Sequence, residues 1–115
     1  MFKKEELLAK NEINGAELEH LLLERENKRA DFLLIDVREE YEFNEKRIVG
    51  VDYLIPLSNF FNQVDCIKKY KSKCIITKCK LGGRSAQAQR QLKLLGFKKV
   101  INLSGGITEY KGPVI

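Results

Sequence analysis

Apolar residues fall into short continuous runs separated by stretches with helical spacing. Phe32-Leu33-Leu34-Ile35 is apolar at every position, the pattern of a strand buried on both faces. Cys74 to Thr77 and Val100 to Leu103 read as two further strands, and Asp52 to Pro56 reads as a shorter strand closed by proline. Between them lie helix signals. Asn14 is placed to cap a helix, Glu17 sits three residues on as in a capping box, and Ile13 can pack on Leu18 as a staple. Leu18, Leu21 and Leu22 then share one face. Residues 39–45 predict a short helix anchored by Tyr41 and Phe43. Ser58 predicts the cap of a helix carrying Phe60, Phe61, Val64 and Ile67. A helix over 86–95 puts Ala88, Leu92 and Leu95 on one face and stops at Gly96. Gly105-Gly106 turns the chain into a final short helix. Residues 1–12 read as a short helix or an extension, ahead of a domain over 13–115.

Strands alternating with helices predict an α/β sheet covered by helices on both faces. In such folds ligands sit beyond the C-terminal ends of the strands. Asp36 and Cys79 both fall at such ends.

Length and composition narrow the field. A chain of 115 residues holds one core. At 43% hydrophobic residues it can fill that core, so disorder is not expected. No apolar run has the length of a membrane span, and the charged start, Met1 to Lys10, lacks a secretory signal's apolar centre. The expectation is a cytoplasmic protein. The net charge is +5. Lys68, Lys69, Lys71, Lys73, Lys78 and Lys80 cluster in sequence, either as a field that draws small anions or as a solvated surface. The lysines are not interleaved with stacking aromatics, so no nucleic-acid partner is expected.

Three cysteines and no export signal argue against a disulfide framework. Cys74 and Cys79 lie about 16 Å apart along an extended strand, beyond the ~7 Å that a bridge spans. Cys66, Cys74, Cys79 and His20 show no zinc-ligand spacing, and no metal is expected.

The chemistry concentrates in Cys79-Lys80-Leu81-Gly82-Gly83-Arg84-Ser85. A cysteine here ends a strand, enters a glycine turn and opens a helix. Helix N-termini favour negative charge, and Lys78, Lys80 and Arg84 add to that, so the setting suits a thiolate. Gly82 and Gly83 let successive N–H groups converge on one anionic atom. A buried structural cysteine is the plain alternative, although glycines stand where packing groups would be needed.

Cys-x-x-Gly-x-Arg-Ser, followed by Ala86-Gln87, resembles the active-site loop of the rhodanese-like sulfurtransferases. Leu34-Ile35-Asp36-Val37-Arg38-Glu39 to Phe43, Ile48 to Leu57, and Gly96-Phe97 to Ile107 resemble further segments of that family in the same order. The resemblance implies a three-layer α/β/α fold with a central, mainly parallel sheet of about five strands. It also implies that Cys79 attacks the outer sulfur of thiosulfate, a polysulfide or a protein persulfide and passes it on to a thiol or cyanide. Lys80, Leu81, Gly82, Gly83, Arg84 and Ser85 would form the substrate cradle, with Lys80 and Arg84 holding the donor's anionic part. Asp36 and Arg38 would support the loop, Asp36 by bonding the loop or Arg84, or by a local ion pair. No cofactor is required. The implied partners are a small anionic sulfur donor and a thiol acceptor, with a sulfur-relay protein as a further candidate.

Two other functions share these residues. A cysteine phosphatase or arsenate reductase also joins a cysteine loop to an arginine, but its loop is one residue longer than Lys80 to Gly83, and no histidine precedes Cys79 here. A non-catalytic docking module of the same family is the other. The chain also departs from the family at Arg47-Ile48-Val49, where a histidine, an apolar residue and a proline are usual. Tyr110 stands for a tryptophan, and Lys78 for a bulky apolar residue.

Overall fold

The computed structural model describes residues 2–115. Its elements are α1 (Lys4–Leu7), β1 (Glu12–Ile13), α2 (Gly15–Glu26), β2 (Leu33–Asp36), α3 (Glu40–Glu45), β3 (Tyr53–Leu54), α4 (Phe60–Gln63), β4 (Cys74–Lys78), α5 (Gly83–Leu94), β5 (Lys99–Leu103) and α6 (Gly106–Glu109). The strands form one sheet in the order β1-β5-β4-β2-β3, parallel at every pairing.

Alternation along the central strands splits the core into two layers. Leu33, Ile35, Ile75 and Val100 face Phe60, Val64, Ala88 and Leu92 on one side. Leu34, Ile76 and Ile101 face Leu7, Leu18, Leu21 and Ile107 on the other. This is the three-layer α/β/α arrangement that the alternation predicts. No helix among the described residues is long and apolar enough to cross a membrane.

The Asn14 capping box forms as read: the Glu17 amide donates to Asn14 Oδ1 and the Asn14 amide to Glu17 Oε1, both at 2.9 Å. Ile13 shares a core layer with Leu18, as the staple requires, and with Glu12 it also pairs with Asn102 and Leu103 as an edge strand. Two local expectations fail. The helix expected after Ser58 is broken into two 3₁₀ stretches, Leu57–Asn59 and Val64–Tyr70, around the single turn of α4. Ser58 caps none of them, because its hydroxyl donates to the Glu39 carboxylate at 2.8 and 2.9 Å. α3 has no buried residue, so Tyr41 and Phe43 do not anchor it. Its capping box, Glu39 with Glu42, holds it instead.

Candidate functional site

β4 runs between β2 and β5 in the middle of the sheet and ends at Lys78. The chain then turns through Cys79 to Gly82 into α5. Gly82 caps α5 with φ +104, a left-handed conformation natural to glycine, and a side chain there would meet the Gly105 amide nitrogen at 3.2 Å. The turn carries the Gly82 amide back over the cysteine, where it donates to Cys79 Sγ at 3.0 Å. The Ser85 hydroxyl lies 3.4 Å from the same sulfur and 3.2 Å from the Gly82 carbonyl. Burial pushes the Cys79 thiol up. The Ser85 hydroxyl and the amides of Ser85, Gly82 and Leu81 outweigh that and hold it below an ordinary cysteine. Cys79 is only 1% exposed and packs with the α5-side core, a deeper position than a loop of glycines predicts. Donors aimed at the sulfur distinguish it from an inert core cysteine. Cys74 lacks them, and burial pushes its thiol to about 11.

The loop is braced from behind by residues that sequence reasoning passed over. Asn102 Nδ2 donates to the Gly82 carbonyl at 3.2 Å, and Thr77 Oγ1 to the Ser85 carbonyl at 3.0 Å. At the start of α6 the Ile107 amide donates to the Cys79 carbonyl at 3.0 Å and the Thr108 amide to that of Lys80 at 3.2 Å. With its carbonyls turned toward α6, the loop directs amides at the sulfur. The Gly105-Gly106 pair was the one sequence signal for this contact.

The cations divide differently from expectation. Arg84 forms a two-pronged pair with Glu42 of α3, Nη1 to Oε1 at 2.7 Å and Nη2 to Oε2 at 2.9 Å. Arg84, with the Glu39 amide, holds the Glu42 carboxyl down at about 2 against the cost of burial. The guanidinium fork is therefore already occupied. Lys80 and Leu81 are exposed at the rim, and Lys80 has no ion-pair partner among the described residues. Lys71 and Lys73 precede β4, at the opposite end of the strand from Cys79, so the lysine cluster of the sequence is not one field around the loop. Lys78 is fully buried.

Asp36 bonds neither the loop nor Arg84. Its carboxylate accepts from Arg38 Nε at 3.1 and 3.2 Å and from Arg38 Nη2 at 2.9 Å. It also accepts from Lys78 Nζ at 3.1 Å. Arg38 Nη2 reaches on to the Lys46 carbonyl at 2.6 Å. Asp36 and Arg38 thus tie the end of β2 to the C-terminal end of α3, the helix that carries Glu42. In front of them lies an open cleft of about 480 Å³ whose lining includes Arg38, Tyr41, Glu42, Lys46, Lys80 and Tyr110.

A parallel sheet carrying a cysteine turn of this kind defines a class. The chain belongs to the rhodanese-like domain family, which matches residues 17–113. It is 37% identical over 91 residues to a tRNA uridine(34) hydroxylase of Buchnera aphidicola subsp. Baizongia pistaciae, covering 74% of this chain and 28% of that protein. It is 32% identical over 103 residues to the putative sulfur carrier protein YrkF of Bacillus subtilis, covering 86% of this chain and 54% of that protein. The chain thus spans about a quarter to a half of the length of these curated relatives. Among solved structures, a rhodanese-related protein from Thermoplasma volcanium superposes with a TM-score of 0.73 at 28% identity, over 92% of this chain and 98% of that one. Family membership supports sulfurtransferase-like chemistry.

Proposed function

We propose that the protein is a sulfurtransferase that carries sulfane sulfur as a persulfide on Cys79. The observation that carries this reading is the pair of donors on the sulfur, the Gly82 amide at 3.0 Å and the Ser85 hydroxyl at 3.4 Å. The Cys79 thiolate attacks the outer sulfur of the donor. The donor S–S bond breaks, and its electron pair leaves on a thiolate, a shortened polysulfide or sulfite. Cys79–S–S⁻ remains, with the loop amides stabilising the anion as an oxyanion hole does. An acceptor thiolate or cyanide then attacks the outer sulfur, and the electron pair returns to Cys79. Oxidation levels balance across the cycle, so no cofactor is required. Lys80 is the rim cation placed to meet the donor's anionic end, since Arg84 is engaged by Glu42. That engagement also weighs against a phosphatase, which needs its guanidinium for the phosphate oxygens.

The relative described as a sulfur carrier is consistent with a relay in which donor or acceptor is another protein's thiol. The test is intact mass after incubation with inorganic polysulfide and, separately, with thiosulfate. The expected result is a gain of one sulfur, removable by reductant or cyanide and absent in Cys79→Ser. A protein that gains no sulfur from either donor is a docking module, and the reading fails.

A further inference from the structure

We propose that the Lys78 ammonium, buried one residue before the nucleophile, is the counter-charge of anionic sulfur at Cys79. Protonated, it completes with Asp36 and Arg38 a set that is neutral only when Cys79 is ionised. The count of buried charges leads there. The side chains of Asp36 and Lys78 are 0% exposed and that of Arg38 is 5% exposed. Two cations therefore share one carboxylate. Arg38 takes both Asp36 oxygens in a two-pronged pair, which accounts for that carboxylate's charge. Lys78 reaches only Asp36 Oδ2, at 3.1 Å, and is the surplus cation. A surplus buried charge costs several kcal/mol unless an anion lies near it.

The β2–β4 register explains why Lys78 cannot escape to water. Asp36 and Lys78 are direct partners in the sheet, so both side chains point into the layer formed by α2 and α6. Cys79, the next residue, turns to the opposite face. The two groups do not touch, but two charges on the order of 10 Å apart at an effective dielectric of ~20 still shift each other by about one pH unit. Burial pushes the ammonium down to about 8, Asp36 and Cys79 pull it up, and Arg38 pushes it further down. The other ionisable groups nearby are already committed. Glu42 of α3 is held by Arg84, and Tyr110, which lines the cleft with Arg38, is a phenol that burial pushes up. Lys78 is thus a positioning residue that acts through the charge state of the sulfur. A lysine that served only to fill the layer and pair with Asp36 would leave Cys79 titration alone.

The thiolate part of this proposal stands without sulfur transfer; its extension to the persulfide rests on the proposed function. The experiment follows alkylation of Cys79 by iodoacetamide against pH, read by peptide mass, in the wild type, Lys78→Met and Lys98→Met. The methionine keeps the stem's volume and leaves Asp36 paired with Arg38. Lys98→Met makes the same change in net charge at the far end of the sheet. The expected result is a Cys79 midpoint raised by about one pH unit in Lys78→Met alone. A second measurement does not require that variant to fold. Lys78 is titrated by NMR in the wild type and in Cys79→Ser, and its midpoint should fall when the anion is removed, because coupling is reciprocal. A Cys79 midpoint equal in both methionine variants, or an unchanged Lys78 midpoint in Cys79→Ser, would overturn the proposal. A wild type that shows the coupling yet gains no sulfur removes the proposed function instead.

Discussion

Gly106→Ala tests whether α6 holds the cysteine loop in its working shape. Gly106 has φ +56, and an added Cβ would lie 2.4 Å from the Lys80 carbonyl carbon and oxygen and 2.5 Å from the Cys79 carbonyl oxygen. These are backbone atoms and cannot swing aside, so α6 or the loop must retreat. Retreat breaks the bonds from the Ile107 amide to the Cys79 carbonyl and from the Thr108 amide to the Lys80 carbonyl, at 3.0 and 3.2 Å. Each costs roughly 1 kcal/mol, and alanine in the left-handed region adds about 1 kcal/mol. The sum is about 3 kcal/mol, less than the typical 5–15 kcal/mol of a domain, so the protein should still fold. It should melt roughly 10 °C lower and load sulfur at least about tenfold more slowly, because carbonyls released from α6 no longer fix where the loop amides point. Thermal denaturation gives the first number and intact-mass kinetics with polysulfide the second. Gly83→Ala is the control: a Cβ there meets nothing within 4 Å, and stability should stay within about 0.5 kcal/mol. A Gly106→Ala protein with wild-type stability and wild-type loading would refute the bracing role of α6.

Ser85→Ala removes the hydroxyl 3.4 Å from the sulfur, and the alkylation midpoint of Cys79 should rise while the fold persists; an unchanged midpoint would leave the amides alone responsible. The carboxyl of Glu42 sits at about 2 in the fold against 4.5 ordinarily, so its pairing stabilises fully above about pH 4.5 and is lost as pH falls toward 2. Arg84 is 36% exposed, which discounts the pair to about 1–2 kcal/mol at neutral pH. Glu42→Gln should lose that stability at pH 7 and match the wild type near pH 2, as read from urea midpoints across pH. It should also free the Arg84 fork and raise the rate of loading from thiosulfate relative to polysulfide. Cys66→Ser and Cys74→Ser should keep most transfer activity, since Cys66 is exposed in the 3₁₀ stretch Val64–Tyr70 and the Cys74 thiol is pushed up to about 11. Loss of loading in either would mean that sulfur passes through a second cysteine.

The alternation of apolar runs with helical spacing was enough to read the three layers, because strands buried on both faces are mostly apolar, with the buried polar Asp36, Thr77, Lys78 and Asn102 gathered toward their C-terminal ends. Cys79 was legible for a similar reason: strand, glycine turn and helix start are contiguous in sequence, and the Gly82 amide and Ser85 hydroxyl that reach the sulfur come from the same seven residues. What the sequence left open depends on contacts between residues far apart in the chain. Arg84 reads as a cation waiting for an anionic donor, yet the fold brings Glu42 of α3, 42 residues away, onto its fork. Lys78 reads as one more surface lysine beside the loop, and Asp36 as a possible partner of that loop. Only the pairing of β2 with β4 puts the two opposite each other at the sheet's end, where alternation turns both side chains into a dry layer and makes them a buried ion pair. The cap expected of Ser58 is missing for the same reason, because its hydroxyl donates to Glu39, a residue 19 positions away. Local pattern determined the elements and the nucleophile, whereas the partners of each charge were decided by strand order and register.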